Sequence, residues 1–394
     1  MVAVMPGHRA DVLREAERLS GLLEADRFRG FDPYDALASP ILRRVAVTPL
    51  ARRAAIQLMK RSPLNFRRVV GVPAQQHTKA LALCVSAYAL LADLPDGDRY
   101  RPLARTLSVC LVASALDRDG GVGWGYEFDV ETRWGAYAAD QPNAVVTSFA
   151  GNALLDAAAL DDADDRFRDS GELASRYAVT SLFRPTPGGG FFAYHRDTDT
   201  EIHNASALVV GLLARCTPMP TDAANAAERA VARLVAKQRP DGSWPYGEHP
   251  RLQWVDGYHT AYILVSLARW ADATGDRAAE AALRRGLGYY IANLFDPGGI
   301  PRATATSVYP IDVHAASSAI WALSQLDDRS PAARQLADSV LAWTLDNLRR
   351  RDGRFAYQRH RRYRNSTSYI RWNDAHMLLA LSSVARARSM HANH

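Results

Sequence analysis

The sequence predicts an all-α chain closed into an (α/α)6 toroid, and three observations carry that prediction. A histidine returns to the mouth of an apolar helix at His203, His259 and His314, with a period near 55 residues, which marks a repeat architecture. Two kinds of helical segment alternate along the chain: one amphipathic, the other Ala-rich and apolar nearly all round, so that it must be buried on every side. The connections alternate as well. Those leaving the apolar helices are short, while those entering them are long and carry aromatic residues, and long loops in a compact fold are usually functional. No run of alternating apolar residues is long enough to build an extended sheet.

Taken in order, residues 9–26 show apolar residues at helical spacing and read as a lead-in helix. A Gly/Pro/Asp-rich connector follows, so that residues 1–40 form an N-terminal helix and connector, and 41–394 a single toroid domain. Amphipathic outer helices are expected at about 45–61, 101–116, 170–182, 222–238, 277–294 and 332–350. Inner helices are expected at about 78–93, 143–160, 203–216, 258–270, 313–326 and 373–387. Six such pairs place every long loop at one end, where the inner helices begin, and the site is expected there.

The chain has 394 residues, 48% of them apolar, enough for a large core. No run of about 18 apolar residues is present, so no transmembrane helix is expected and any membrane contact is peripheral. The opening residues lack the basic stretch and apolar core of a secretion signal, and the cytoplasm is the expected compartment. Cys84, Cys110 and Cys216 lie in apolar helical runs without a CxxC pair and read as small buried hydrophobes. Net charge is +6, nearly all from arginine, because Lys60, Lys79 and Lys237 are the only lysines. Residues 349–371 hold nine arginines against one acid, Asp352. Such a run is most simply a solvated face; a rim that binds an anionic sugar or phosphate is the next reading, and nucleic acid is not the expected partner.

The loops repeat internally. Gly123-Trp124-Gly125-Tyr126, Gly190-Phe191-Phe192-Ala193-Tyr194, Gly242-Ser243-Trp244-Pro245-Tyr246 and Gly353-Arg354-Phe355-Ala356-Tyr357 share a glycine, a large ring and a tyrosine. The first ring is expected to pack beneath the helix ends and the second to lie nearer the cavity.

Polar residues start every inner helix: His77, Asn143, His203, His259, His314 and Asn373. Asparagine is a good N-cap, but histidine is a poor one, and a helix N-terminus disfavours imidazolium. Neutral imidazoles around a cavity mouth suit a base or a sugar-hydroxyl partner. Carboxylates stand beside them: Asp256 and Asp312, which also fit as N-caps, and Glu248, Glu127 and Asp129 in the aromatic loops. An Asp/Glu pair across one cavity is what glycoside hydrolysis needs. A His or Tyr beside an Arg would instead suit proton abstraction next to a carboxylate-bearing sugar carbon, and Arg371 at the lip of the last inner helix is placed to neutralise that carboxylate. Asp256-x-x-His259 offers two metal ligands on one turn, but HExxH and a cysteine cluster are missing, and no cofactor is expected.

Two resemblances add to these readings. Gln238-Arg239-Pro240-Asp241-Gly242-Ser243-Trp244 resembles the QW motif of terpene cyclases, and Asp162-Ala163-Asp164-Asp165 spells their acid motif, although in a linker at the end opposite the aromatic loops. Over nearly the whole chain, FDPYDAL (31–37), GWGYEFD (123–129), IHNASAL (202–208), DGSWPYGE (241–248), WVDGYHTAYIL (254–264), YPIDVHAASSAI (309–320) and YIRWNDAHMLLAL (369–381) resemble a toroid family of polysaccharide-biosynthesis and archaeal N-glycosylation gene clusters, related in fold to six-hairpin glycosidases. That resemblance implies a glycan hydrolase or isomerase with a site at Tyr126, Glu127, His203, Asn204, Glu248, Asp256, His259, Asp312, His314 and Arg371. The family pattern has Gly at the position of Ala261, and Gln-Ala-Trp where Asp374-Ala375-His376 stands, which places an extra acid and histidine at the lip.

The expected function is modification of a polysaccharide or lipid-linked oligosaccharide. Asp256 and Asp312 form the acid/base pair if the reaction is hydrolysis, with Glu248 a further catalytic carboxylate. His259 and His314 are the proton carriers if it is epimerisation or elimination. Tyr126, Glu127, Tyr194, His203, Asn204, Trp244, Tyr246, Trp254, Arg371 and Trp372 are expected to bind substrate. The alternatives are a terpene cyclase acting on a prenyl substrate, with Asp164 in the cavity, and a non-catalytic glycan-binding toroid.

Overall fold

The structure, a computed structural model, describes residues 7–132, 135–160 and 164–392. Its helices are α1 (Gly7–Ala25), α2 (Pro40–Val45), α3 (Pro49–Arg61), α4 (Thr78–Ala92), α5 (Tyr100–Ala113), α6 (Ala144–Leu160), α7 (Asp165–Tyr177), α8 (His203–Leu213), α9 (Thr221–Ala236), α10 (Gly257–Thr274), α11 (Arg277–Asn293), α12 (Val313–Gln325), α13 (Pro331–Asn347) and α14 (Ala375–Ala392). The inner helices α4, α6, α8, α10, α12 and α14 pack each against the next, and α14 returns to α4, closing the ring. These are the Ala-rich segments, and α8 and α12 are buried along nearly their whole length. Strands are confined to the loops, in antiparallel pairs two to four residues long with one third strand, among the described residues.

Five outer helices follow the expected order, α5, α7, α9, α11 and α13, each on the inner helix before it. The sixth differs from the sequence reading. The position behind α14 is taken by α1, whose Val12, Ala16, Leu19 and Leu23 form a buried stripe at helical spacing. The helix expected as the first outer one, near 45–61, is α3. It buries only Ile56 and Met59, too narrow a face for the ring, and packs on a turn at 35–38 and on the loop strand at 130–131. It stands over the end where the inner helices begin.

The repeated loop motif has a physical reason. Trp124 Nε1 donates to Leu111 O and Trp244 Nε1 to Leu234 O, at 2.9 and 2.8 Å. Each indole hydrogen-bonds to a carbonyl in the last turn of the preceding outer helix, where carbonyls run short of intrahelical partners. Phe192 and Phe355 fill the corresponding places. Gln238 of the QW-like stretch donates to Ala282 O at 2.9 Å and so ties the end of α9 to α11.

The basic run near the C-terminus is largely engaged. Arg349 pairs with Glu15, and Arg354 with Asp26 and Asp374, clamping the loop after α13 onto α1.

If α1 is part of the closed ring, Leu19→Ala, at a position with no exposure, will cost about 2–5 kcal/mol in chemical denaturation. A loss below about 0.5 kcal/mol, the range of surface substitutions, would make α1 a detachable lead-in instead.

Candidate active site

The long loops and the inner-helix N-termini enclose a cavity of about 820 Å³. Its wall is aromatic, with Tyr126, Phe128, Tyr194, Tyr246, Trp254, Tyr258 and Trp372, and basic, with Arg53, Arg61, Lys79 and Arg371. Among the described residues, the only carboxylate side chain on the wall belongs to Glu131. The second rings of the repeated motif reach it from three loops, Tyr126, Tyr194 and Tyr246. The fourth, Tyr357, is fully buried outside it.

His259 lies on the wall with its side chain 18% exposed. Its Nδ1 is 2.7 Å from Asp256 Oδ2, and a carboxylate only accepts, so Nδ1 carries a proton. Asp256 also accepts from His259 N at 3.0 Å, as N-cap of α10, and from Trp254 Nε1 at 3.1 Å. One carboxylate therefore starts the helix, orients the imidazole and fixes a wall aromatic. Tyr246 stacks on Trp254 with ring centroids 4.6 Å apart and lies against His259 at 4.5 Å.

The floor is a chain of buried groups. His314 Nδ1 lies 3.2 Å from Trp372 O, which can only accept, so Nε2 accepts from Tyr262 Oη at 2.8 Å. Trp372 stacks on His314 at 4.2 Å and His376 meets it edge-on at 4.0 Å. Burial, and then the neighbouring cations, hold His314 well below the usual histidine range; burial and His314 do the same for His376. Lys79 Nζ sits 4.1 Å over the Phe149 ring, and burial followed by Arg371 lowers its pKa strongly. Tyr126 Oη and Tyr194 Oη are 2.9 Å apart, and burial raises both phenols, so they remain O–H donors.

Arg371 is held by Asp32, Nε to Oδ2 at 2.5 Å and Nη2 to Oδ1 at 2.8 Å, with its guanidinium 5.1 Å over the Tyr126 ring. Burial alone would raise the Asp32 carboxyl, but Arg371 outweighs it and holds it below the ordinary range. Arg371, Trp372 and Asn373 lie in a π-turn, Ile370–Asp374, that opens α14.

Several of the residues singled out in the sequence lie off the wall. Asp312 caps α12 through His314 N at 2.8 Å and accepts from Trp372 Nε1 at 2.9 Å and Gln358 Nε2 at 2.7 Å; it positions Trp372. Glu248 pairs with His203 Nε2 at 3.1 Å and with Lys237, which lower its pKa to about 2. His203 donates from Nδ1 to Pro245 O at 2.8 Å and is buried, while Asn204 beside it reaches the wall. Glu127 accepts from His77 Nδ1 at 3.0 Å and from Thr78 N at 2.5 Å, capping α4. Burial would lower His77 and raise Glu127, but their mutual contact outweighs it and shifts each the other way. Trp244 is buried packing. The extra acid and histidine lie beneath the lip: Asp374 is buried against Arg354 and His376 is in the floor.

The first two residues of the DxDD stretch 162–165 lie outside the described residues. Its Asp164 pairs with Arg105 and Arg166 and is not on the cavity wall.

The sequence reading missed Asp32, Lys79, Tyr258, Tyr262 and the α3 wall. Lys79, a lysine inside an apolar helix, was a visible signal, because lysine is almost never fully buried without a reason. Asp32 had none, since its partner is 339 residues away.

No family model and no curated protein matches the sequence. Solved structures do. The chain superposes on a GH76 α-mannanase from Bacteroides thetaiotaomicron at 12% identity, covering 80% of this chain and 87% of that one, with a TM-score of 0.62. A polysaccharide lyase aligns at 10% identity over 98% and 99%, with a TM-score of 0.63. A cellobiose 2-epimerase from Bacillus thermoamylovorans aligns at 9% over 79% and 89%, with a TM-score of 0.61. At such identities the likeness is one of fold: the chain is an (α/α)6 toroid.

Two outcomes test the site. Asp312→Ala is expected to cost about 1 kcal/mol or more in stability through the lost cap. The second concerns pH. A buried histidine whose folded pKa lies below its unfolded value of about 6.5 loses stability as pH falls through that value, because the unfolded chain then binds protons that the folded chain refuses. Raised His77 acts in the opposite sense, so the difference between proteins is the informative quantity. His376→Gln is expected to lose less stability than the wild type between about pH 7 and 5 in denaturant titrations.

Proposed function

We propose that the protein is a carbohydrate-active enzyme that removes a proton from a sugar carbon beside a carboxylate, as an epimerase or a lyase does. Its substrate would be an anionic polysaccharide or lipid-linked oligosaccharide. The observation that carries this reading is the Asp256–His259 dyad, which sets an oriented imidazole on the wall of an aromatic, cationic cavity. His259 Nε2 takes the proton. Arg371 draws in the sugar carboxylate and stabilises the charge that builds on it. Tyr126, Trp254 and Trp372 offer faces for sugar rings, and the Tyr126–Tyr194 hydroxyls offer a proton from another direction.

Hydrolysis by paired carboxylates has less support. Asp256 and Asp312 are both engaged in capping and positioning, and the described wall carries Glu131 alone as a carboxylate residue. The cyclase reading loses its acid, since Asp164 is paired with arginines off the wall. The named fold neighbours, a mannanase, a polysaccharide lyase and a cellobiose 2-epimerase, agree with a glycan as substrate but do not choose the reaction.

The test is incubation with uronate-containing oligosaccharides in heavy water, read by NMR and mass spectrometry. Deuterium at a sugar carbon is expected for epimerisation, or an unsaturated uronate for elimination. His259→Gln should lower turnover on the order of 10²–10⁴-fold, Asp256→Asn should follow it, and Asp312→Ala should change turnover far less. New reducing ends without carbon-bound deuterium or unsaturation would establish hydrolysis and sink the proposal. Binding without any product would make the toroid a glycan-binding module.

A further inference from the structure

The stretch from α2 to just past α3 is unlike the rest of the surface. Twelve large apolar side chains are well exposed among the described residues, and eight of them lie between residues 41 and 69. Val45 is 67% exposed, Val47 78%, Leu58 73% and Val69 78%. Isolated exposed apolar residues are ordinary, but a cluster marks a contact surface. Helix α2 buries none of its residues, and α3 buries two, so both present apolar side chains outward.

The charge of this stretch is one-sided. The chain has no Asp or Glu between Asp35 and Asp93, and Arg43, Arg44, Arg61 and Arg68 are exposed within it. Apolar side chains interleaved with basic ones, without acids, match the interface of a negatively charged bilayer, where acyl chains take the former and headgroups the latter. A second copy of this chain fits less well. A two-fold contact would set these arginines against their own copies with no acid in the stretch to meet them.

The position matters as much as the composition. Leu50, Ala54, Gln57 and Arg61 lie along α3, three or four residues apart, and border the cavity. No helix among the described residues is long and apolar enough to cross a membrane. Contact through this stretch is therefore interfacial, and it brings the cavity mouth to the lipid.

We propose that residues 41–69 are a peripheral docking surface for an anionic lipid bilayer, which holds the mouth of the cavity against the membrane. A substrate carried on a lipid is then met at the surface that bears it. The inference rests on exposure and charge and stands independently of the reaction proposed above.

The experiment is sedimentation of the full chain with vesicles of phosphatidylcholine alone and of phosphatidylcholine with phosphatidylserine, without substrate. The wild type is expected to pellet with the anionic vesicles and to be released by salt. The double variants Val45→Ser/Val47→Ser and Arg43→Glu/Arg44→Glu alter exposed positions off the cavity wall. Each should lower partition on the order of tenfold or more while the melting temperature stays unchanged. Wild-type protein left in the supernatant with anionic vesicles would overturn the proposal, as would variants that pellet like the wild type. A dimer in light scattering that Val45→Ser/Val47→Ser returns to monomer, with no vesicle binding, would assign the patch to a second copy and equally overturn it. Because no substrate is present, this result and that of the heavy-water experiment fail separately.

Discussion

Asp32 and Arg371 are 339 residues apart and form a two-pronged ion pair with almost no exposure. A second buried pair, Asp35–Arg67 at 2.7 Å, adjoins it, and Arg67 also donates to Tyr369 Oη at 3.0 Å. Both lie at the seam where the N-terminal connector meets the turn into α14. Burying charges is costly, so such pairs are poor sources of net stability, but removing one partner leaves an uncompensated charge and costs about 3–5 kcal/mol. Their effect is therefore specificity. The seam closes in one register, and that register sets Arg371 and Trp372 on the cavity wall. The inner ring itself closes through the packing of α14 on α4, and the polar seam and the α1 stripe lie over that closure.

One residue type at one helix end serves three purposes in this molecule. His77 and His203 each face a glutamate outside the cavity and fasten a loop to a helix start. His259 faces an aspartate and keeps one nitrogen for the cavity. His314 is buried among neutral and cationic neighbours and stays uncharged. The backbone places them equivalently, since each inner helix begins at the same end, and the difference comes from the loop that supplies the partner. Glu127 and Glu248 come from the aromatic loops, Asp256 from the helix's own cap. A cap residue is close enough to orient an imidazole through Nδ1, whereas a residue from the loop reaches it from outside and ties it down.

The extra helix α3 has the same logic. An outer helix needs a broad apolar face turned towards the ring. Helix α3 has two buried residues and turns its remaining apolar side chains outward, so it serves as a wall over the cavity mouth rather than as part of the barrel. Cavity wall and apolar, basic surface are thereby joined along one helix.

Much of this architecture was legible in the sequence. The inner helices, their order, the aromatic loops and the end at which the site lies follow from local facts: composition all round a helix, the period near 55, and the glycine–ring–tyrosine motif. His259, His314, Tyr126, Tyr194, Tyr246, Trp254, Arg371 and Trp372 could be placed near the site because helix N-termini and loops are sequence-local features. The roles within the site were not legible. Asp312 resembles Asp256 in the sequence, yet Asp312 positions Trp372, which arrives from the turn into α14, whereas Asp256 orients His259 of its own helix. Asp32, Lys79 and Tyr262 join the site only through contacts across the ring, and the choice of α1 over α3 as the sixth outer helix depended on which apolar face fits α14. Local pattern determined the helices; which side chains share a cavity was decided by ring closure, which brings residues hundreds of positions apart within hydrogen-bonding distance.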